Sequence, residues 1–310
     1  MSLLKQNIQE GNNAFNFVPP KLKIAKREKT IGNYITFTGI GLHSGKKVKM
    51  TLHPAPVNTG YVFRVNKNQK THSIKASYKN VKATKLCTTL GDSNGNTIST
   101  VEHILSALFG LDIDNIFIDL DNQEVPVHDG SSKKFVEEIE KVGVIDQHSF
   151  KKYVKILKPV EVKESCKVAR VLPFKYTMIS TEINYTNQMI GKQSISVILN
   201  KDIYKTQICE ARTFGLLKDV ETLRKSGLAL GGGLHNAVVV DDKRVLNKDG
   251  LRFSDEFVRH KLLDLIGDLA LSGYKILGSF YTSQSGHQLN IELLKKIFES
   301  EKNYELISSN

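Results

Sequence analysis

The sequence predicts an α+β protein in two halves of similar length, each running strands first and helices after. Three observations carry that expectation. Apolar and polar residues alternate through 34–65 and again through 153–185, the period of half-buried strands. Helical spacing follows each stretch, at 99–110 and 133–142 in the first half and at 216–223, 254–273 and 289–298 in the second. At 310 residues the chain is long enough for two ordinary cores. The expected division is an N-terminal domain over 24–148 and a C-terminal domain over 149–310, joined near a polar, irregular stretch at 146–152. Residues 1–23 have weak periodicity and run into Pro19-Pro20, so they are expected to be a disordered extension.

Taken in order, the first strands are 34–39 and 48–52, joined by Gly41-Leu42-His43-Ser44-Gly45-Lys46-Lys47. Such a turn can touch phosphate, but the plainer reading is a hairpin connection. Another strand is expected at 61–65, and Asn94-Gly95 marks a turn. A short helix then covers 99–110, with Val101, Ile104, Leu105 and Leu108 as its apolar stripe and Gly110 as its stop. Ser99 and Glu102 have capping-box spacing, which gives Glu102 a structural reading. Capping does not account for His103, and a Glu-His pair off the apolar stripe points to a cleft. Strand 115–120 follows, then a loop in which Asp129 or Ser131 is expected to cap the helix starting at Lys133 or, in the case of Asp129, to support a site. In the second half, 227–235 is apolar and glycine-rich, and 237–240 is a strand.

The stretch 254–273 organises the rest. Ser254 suits an N-cap, Asp255 and Glu256 suit the positive end of the helix dipole, and Gly273 suits the position just past the end. Val258, Leu262, Leu265, Ile266 and Leu269 cover one broad side. His260, Asp264 and Asp268 recur on the other at every fourth residue, with Lys261 beside them. A polar row on a buried helix is costly unless its members are paired or bind something. A structural His-Asp hydrogen bond and a shared metal ion both fit this helix taken alone.

Composition narrows the classes. With 40% hydrophobic and 25% charged residues the chain is globular, which excludes collagen-like and low-complexity proteins. A net charge of +12 favours an anionic partner: nucleic acid, a phosphorylated small molecule or an anionic membrane surface. The basic residues are dispersed, with no zinc-finger spacing and no RNA-binding signature, which counts against nucleic acid. Cys87, Cys166 and Cys209 are odd in number and far apart, so they are read as core thiols in a reducing cytoplasm. No apolar run reaches the roughly 18 residues of a membrane span, and the opening residues lack the apolar core of a signal peptide. A soluble, cytoplasmic protein is therefore expected.

Six of the nine histidines (His43, His53, His72, His128, His148 and His235) lie in strands, turns or polar loops without a partner pattern and are read as solvent-facing or structural. His103, His260 and His287 sit at structured positions near acidic or glycine-rich neighbours. A metal with three protein ligands and one open position suits hydrolysis, and His103, His260 and Asp264 can supply that set. Glu102 is then placed to act as base, and Asp268 to orient His287 as acid.

At this point the sequence resembles the UDP-3-O-acyl-N-acetylglucosamine deacetylase family, the zinc amidases of lipid A biosynthesis. The resemblance runs from about Lys26 to Phe298 and is carried by several motifs in order. They are Gly39-Ile40-Gly41-Leu42-His43-Ser44-Gly45, Ser99-Thr100-Val101-Glu102-His103, Ile113-Asp114-Asn115 and Val125-Pro126-Val127-His128-Asp129-Gly130-Ser131. Next come Ala211-Arg212-Thr213-Phe214-Gly215, Val240-Asp241-Asp242, Leu251-Arg252-Phe253, Asp255-Glu256-Phe257-Val258-Arg259-His260-Lys261 and Ser285-Gly286-His287.

The resemblance implies two similar domains, each a sheet layered with helices, packed helix layer to helix layer with the active site between them. It implies zinc on His103, His260 and Asp264, with Fe2+ as the other candidate metal. It implies Glu102 as general base, His287 as general acid, Asp268 behind His287, and Thr213 at the oxyanion. Lys261, Phe214 and Leu234 would contact the substrate, a UDP-linked acylated amino sugar. The segment 215–242 would be an insert forming an apolar passage for the acyl chain. The activity implied is hydrolysis of the 2-acetamido group, by a monomer in transient contact with the inner membrane surface through its acyl substrate. Two departures stand out: the N-terminal extension is long, and Leu234-His235-Asn236 differs from many members.

Two other classes compete. A non-haem iron oxygenase also uses two His and one carboxylate, but needs no neighbouring Glu base. A basic nucleic-acid-binding protein with a structural metal would bind in a salt-sensitive way and close its metal with four protein ligands.

Overall fold

A computed structural model describes residues 26–67 and 70–309; the expected extension at 1–23 lies outside them. The architecture is mixed α+β. A five-stranded sheet runs in the order Ile35–Ile40, Lys47–Pro54, Ile116–Leu120, Tyr61–Lys67, Lys70–Lys75. All its neighbours are antiparallel except Tyr61–Lys67 beside Ile116–Leu120. A seven-stranded sheet is centred on Lys275–Ser283, which pairs with Lys152–Ile156, Lys167–Pro173 and Thr177–Asn184. Alternation explains these strands: in Lys47–Pro54, Val48, Met50 and Leu52 are buried while Lys47 and Lys49 face solvent.

Six helices lie among the described residues: α1 (Glu102–Gly110), α2 (Lys133–Val142), α3 (Lys201–Gln207), α4 (Leu217–Lys225), α5 (Glu256–Ala270) and α6 (His287–Phe298). α1 is buried along its whole length. It packs on α5, which has Leu262, Leu265, Ile266 and Leu269 in the same apolar core as Ile104, Leu105 and Leu108. The helices come together backbone to backbone: a Cβ built on Gly267 would lie 2.1 Å from the Glu102 carbonyl oxygen. Only glycine permits that approach.

A second binding element is ionic. Lys151 is 1% exposed, and its Nζ lies 2.6 Å from Asp112 Oδ1 and 3.0 Å from Asp114 Oδ2. Lys275 Nζ reaches the same Asp112 oxygen at 2.9 Å. The loop after α1 is thereby fastened to the two strand starts at 152 and 275.

Several expectations are corrected. The stretch 146–152 is not irregular: Val144–Phe150 is a strand, antiparallel to Arg27–Ile31. Most of its residues are half-buried or exposed, so it lacks the alternation that betrays a strand. α1 begins at Glu102, not Ser99, and has no side-chain cap; the Ser99 hydroxyl donates to the Gln123 carbonyl instead. Thr100, at φ 59°, breaks the chain between them, which defeats the capping box. α5 begins at Glu256, with Asp255 rather than Ser254 at the N-cap. α2 begins after Ser132, although Ser131 Oγ does accept from the Lys133 N–H. Cys166 is exposed, on the turn between Val160–Glu164 and Lys167–Pro173, while Cys87 and Cys209 are buried.

Candidate active site

The first turn of α1 and the middle of α5 face each other, and the polar row of α5 lines the contact. His103, His260 and Asp264 offer three donor atoms that all lie within 4.8 Å of one another. His103 Nε2 is 3.7 Å and His260 Nε2 is 3.4 Å from the same oxygen, Asp264 Oδ1. Both separations are long for hydrogen bonds with these partners. They match the edge of a tetrahedron of about 3.3 Å expected for ligands at zinc bond lengths. The residues present therefore fit a divalent metal.

Hydrogen bonds from the surroundings fix two of the three donors. The His260 ring presents Nδ1 to the Ala211 carbonyl at 3.1 Å, which as a donor leaves Nε2 free to ligate. Asp264 gives its other oxygen, Oδ2, to Lys261 Nζ at 2.7 Å. Burial, reinforced by the neighbouring His260, pushes the His103 imidazole down to about 3, and burial lowers His260 as well. Both are held neutral, as ligands must be. Burial alone would raise the Asp264 carboxyl; His260 and Lys261 outweigh it and hold the group well below the usual carboxylate range.

Glu102, also buried, stands beside this set. Its Oε2 accepts the Thr88 N–H at 3.0 Å, while Oε1 lies 3.9 Å from His287 Nε2. Burial pushes its carboxyl up to about 7 against the pull of His287. His287 opens α6, and its Nδ1 is 2.9 Å from Asp268 Oδ2. Burial works against charge on that ring, but Asp268, with Glu102 and Asp264 behind it, lifts it to about 9. A carboxyl held near neutrality and a charged imidazole thus face each other next to the three residues that fit a metal.

Most residues singled out in the sequence converge here. Phe214 packs its ring 5.0 Å from Phe257 and 6.2 Å from His260, with Lys261 Nζ 6.0 Å above it. Thr213, one residue earlier, donates its N–H to Gly130 at 2.7 Å and accepts from Val238 at 2.8 Å. Asp129 pairs with Arg252 at 2.8 Å. Leu234 stands apart from the buried set, 51% exposed.

Sequence reading missed others. His43 is within electrostatic reach of His287, and its two ring nitrogens are buried without a hydrogen bond. Only its glycine-flanked turn pointed to it. Glu124 accepts the His43 and Ser44 N–H groups, both at 2.8 Å, and the Thr100 hydroxyl at 3.0 Å, so it ties that turn to the start of α1. Thr88 and Asn290, which hold Glu102 and Asp268, carried no signal at all.

Two neutral imidazoles and a carboxylate, flanked by a second carboxyl and a charged imidazole, suit a metal-dependent hydrolase. Comparison with known proteins gives the particular one. Residues 28–299 match the family profile of UDP-3-O-acyl N-acetylglycosamine deacetylase (LpxC). The chain is 48% identical over 273 residues to the UDP-3-O-acyl-N-acetylglucosamine deacetylase of Legionella pneumophila strain Corby, covering 87% of this chain and 90% of the relative. It is 44% identical over 285 residues to that of Thioalkalivibrio sulfidiphilus, covering 91% and 93%. The same figures hold over 284 residues for that of Xanthomonas campestris pv. campestris strain B100. The chain belongs to the UDP-3-O-acyl-N-acetylglucosamine deacetylase family, hydrolases of lipid A biosynthesis. That membership sets aside the oxygenase reading. Among the described residues no helix is long and apolar enough to cross a membrane.

Proposed function

We propose that this chain hydrolyses the 2-acetamido group of UDP-3-O-acyl-N-acetylglucosamine, giving acetate and the free 2-amine, with zinc on His103, His260 and Asp264. The observation that carries this reading is the approach of two histidine nitrogens to one Asp264 oxygen, 3.7 and 3.4 Å away, beside the facing pair Glu102 and His287. When bound, zinc supplies a Lewis acid for the amide carbonyl and makes water acidic enough to ionise near pH 7.

The chain's own residues do the rest. Glu102 takes the proton of the attacking water through Oε1, the oxygen that Thr88 leaves unoccupied. Thr213, anchored beside Phe214, stabilises the oxyanion. His287, charged through Asp268, gives its Nε2 proton to the departing nitrogen, so the C–N bond breaks to a neutral amine. Lys261 is held at the Asp264 edge of the site and faces the anionic part of the substrate. Phe214 and Leu234 line the substrate's path.

Two similar domains, 24–148 and 149–310, meet helix layer to helix layer around this site, a division supported by the two separate large sheets and the α1–α5 contact. The insert 215–242 forms the acyl passage. Its support is the parallel pair Phe214–Leu216 and Val238–Val240 with α4 between, whose buried valines pack with Ile183, Phe257 and Val258. Leu217, Leu230 and Leu234 stand exposed along that insert and suit an acyl chain or the inner membrane surface it comes from.

Acetate release from the acylated UDP sugar by purified protein tests the reading. Release should stop with a chelator and return with zinc. A folded, metal-loaded sample that releases none across several acyl lengths sinks it.

A further inference from the structure

We propose that Thr88 is a positioning residue that sets the proton acceptor and the proton donor of the reaction from a single point. The inference rests on the roles given above to Glu102 and His287.

Thr88 is fully buried at 0% exposure. It has two hydrogen-bond donors, and each serves a different carboxylate. Its N–H donates to Glu102 Oε2 at 3.0 Å, and its hydroxyl donates to Asp268 Oδ1 at 2.7 Å. Its carbonyl accepts the Val101 N–H at 3.4 Å, which fastens it to the start of α1. The partners are far apart in the chain, 14 residues away for Glu102 and 180 for Asp268.

In each carboxylate Thr88 holds the oxygen that does not face His287. With Oε2 of Glu102 taken, Oε1 points toward His287 Nε2, 3.9 Å away. With Oδ1 of Asp268 taken, Oδ2 receives His287 Nδ1 at 2.9 Å and Asn290 Nδ2 at 2.8 Å. The imidazole is therefore aligned between two carboxylates whose rotation is stopped by the same residue. A misplacement of about 1 Å in such an array costs on the order of a hundredfold in rate, so a shared anchor has kinetic consequences. Threonine suits the task because its β-branch restricts χ1 and keeps the hydroxyl aimed at Asp268.

A merely structural Thr88 predicts a loss of stability with kcat and KM following the folded fraction. A positioning Thr88 predicts a loss confined to kcat. Thr88→Val keeps the shape and the N–H but deletes the hydroxyl bond; Thr88→Ser keeps the hydroxyl. The full-length, zinc-loaded variants are compared by steady-state acetate release, zinc content, Tm and the 15N-labelled imidazole spectrum of His287. The valine should lower kcat by about 10- to 100-fold. KM and zinc content should hold, the His287 Nδ1–H signal should shift, and serine should recover most of the rate. A folded valine variant with unchanged kcat, or a serine variant as slow as valine, overturns the proposal.

If the valine variant does not fold, the Thr88 backbone amide resonance decides. It should move in both Glu102→Gln and Asp268→Asn; movement in the first alone, or in neither, overturns the link. These spectra judge Thr88 even where wild-type protein releases no acetate, an outcome that would instead sink the deacetylase reading.

Discussion

His287 Nδ1 lies 2.9 Å from Asp268 Oδ2, and both residues are buried, the aspartate completely. The bond runs from the first residue of α6 to the last turn of α5 and fixes which ring nitrogen carries the proton toward the site. Asp268→Asn removes the carboxylate that sustains the imidazolium. It should lower kcat by about 10- to 100-fold with little change in KM or bound zinc. Steady-state kinetics with metal analysis checks this, and an unchanged kcat would remove Asp268 from the mechanism.

Glu102 and His260 should fail in different ways. Glu102→Gln keeps the three metal donors and should retain zinc while losing about 10²- to 10⁴-fold in kcat. His260→Ala deletes a donor and should lose zinc and activity together. Measuring metal content beside turnover separates the two; a Glu102 variant with near-normal turnover would mean that another group takes the proton.

Gly267 has room for no side chain, since a Cβ would stand 2.1 Å from the Glu102 carbonyl oxygen. Gly267→Ala must push α1 off α5, at a cost of about 1–3 kcal/mol. Because Glu102 and His103 ride on α1, zinc affinity should fall as well. A urea titration and a zinc titration of the variant test both; unchanged values would show that the helices yield without disturbing the donors.

The buried group Asp112, Asp114, Lys151 and Lys275 makes a prediction about acid. Burial alone would raise the Asp112 carboxyl, but Lys275 and Lys151 overcome that and hold it well below the usual range. A depressed carboxylate contributes stability that is present above its unfolded value, about 3.9, and is lost as pH falls toward its folded value. Asp114 works the other way: burial, only partly offset by Lys151, lifts it to about 6, so its share is lost as pH rises through that value. Below pH 4 the Asp112 contribution governs. Asp112→Asn should flatten the fall of Tm with pH in that range, and Lys151→Ala should destabilise by about 3 kcal/mol or more at pH 7. A Tm series from pH 3 to 7 tests both, and parallel wild-type and Asp112→Asn curves would refute the assignment.

The group that fits a metal, His103, His260 and Asp264, was the most legible part of the sequence. His260, Asp264 and Asp268 repeat at helical spacing on an apolar helix, and a buried polar row demands a purpose. Glu102 was visible too, though the capping box offered it another role until Thr100 proved to break the chain. What stayed hidden depends on closure in three dimensions. Thr88 meets Asp268 across 180 residues, and a threonine in a loop has no pattern of its own. The strand Val144–Phe150 was illegible because it buries no clear face, and α3 because its seven residues are too few to show a period.

The contact between Gly267 and the Glu102 peptide has a consequence for how such enzymes diversify. The distance from α1, which carries Glu102 and His103, to His260 and Asp264 on α5 is set where the Gly267 backbone meets the Glu102 carbonyl, so only a side chain added at that point alters it directly. The segment carrying Leu217, Leu230 and Leu234 is joined to the rest through the short strands Phe214–Leu216 and Val238–Val240, and those three leucines stand exposed. If that stretch takes the lipid tail, as proposed, bulk can change along it while the α1–α5 contact beneath the reacting groups stays as it is.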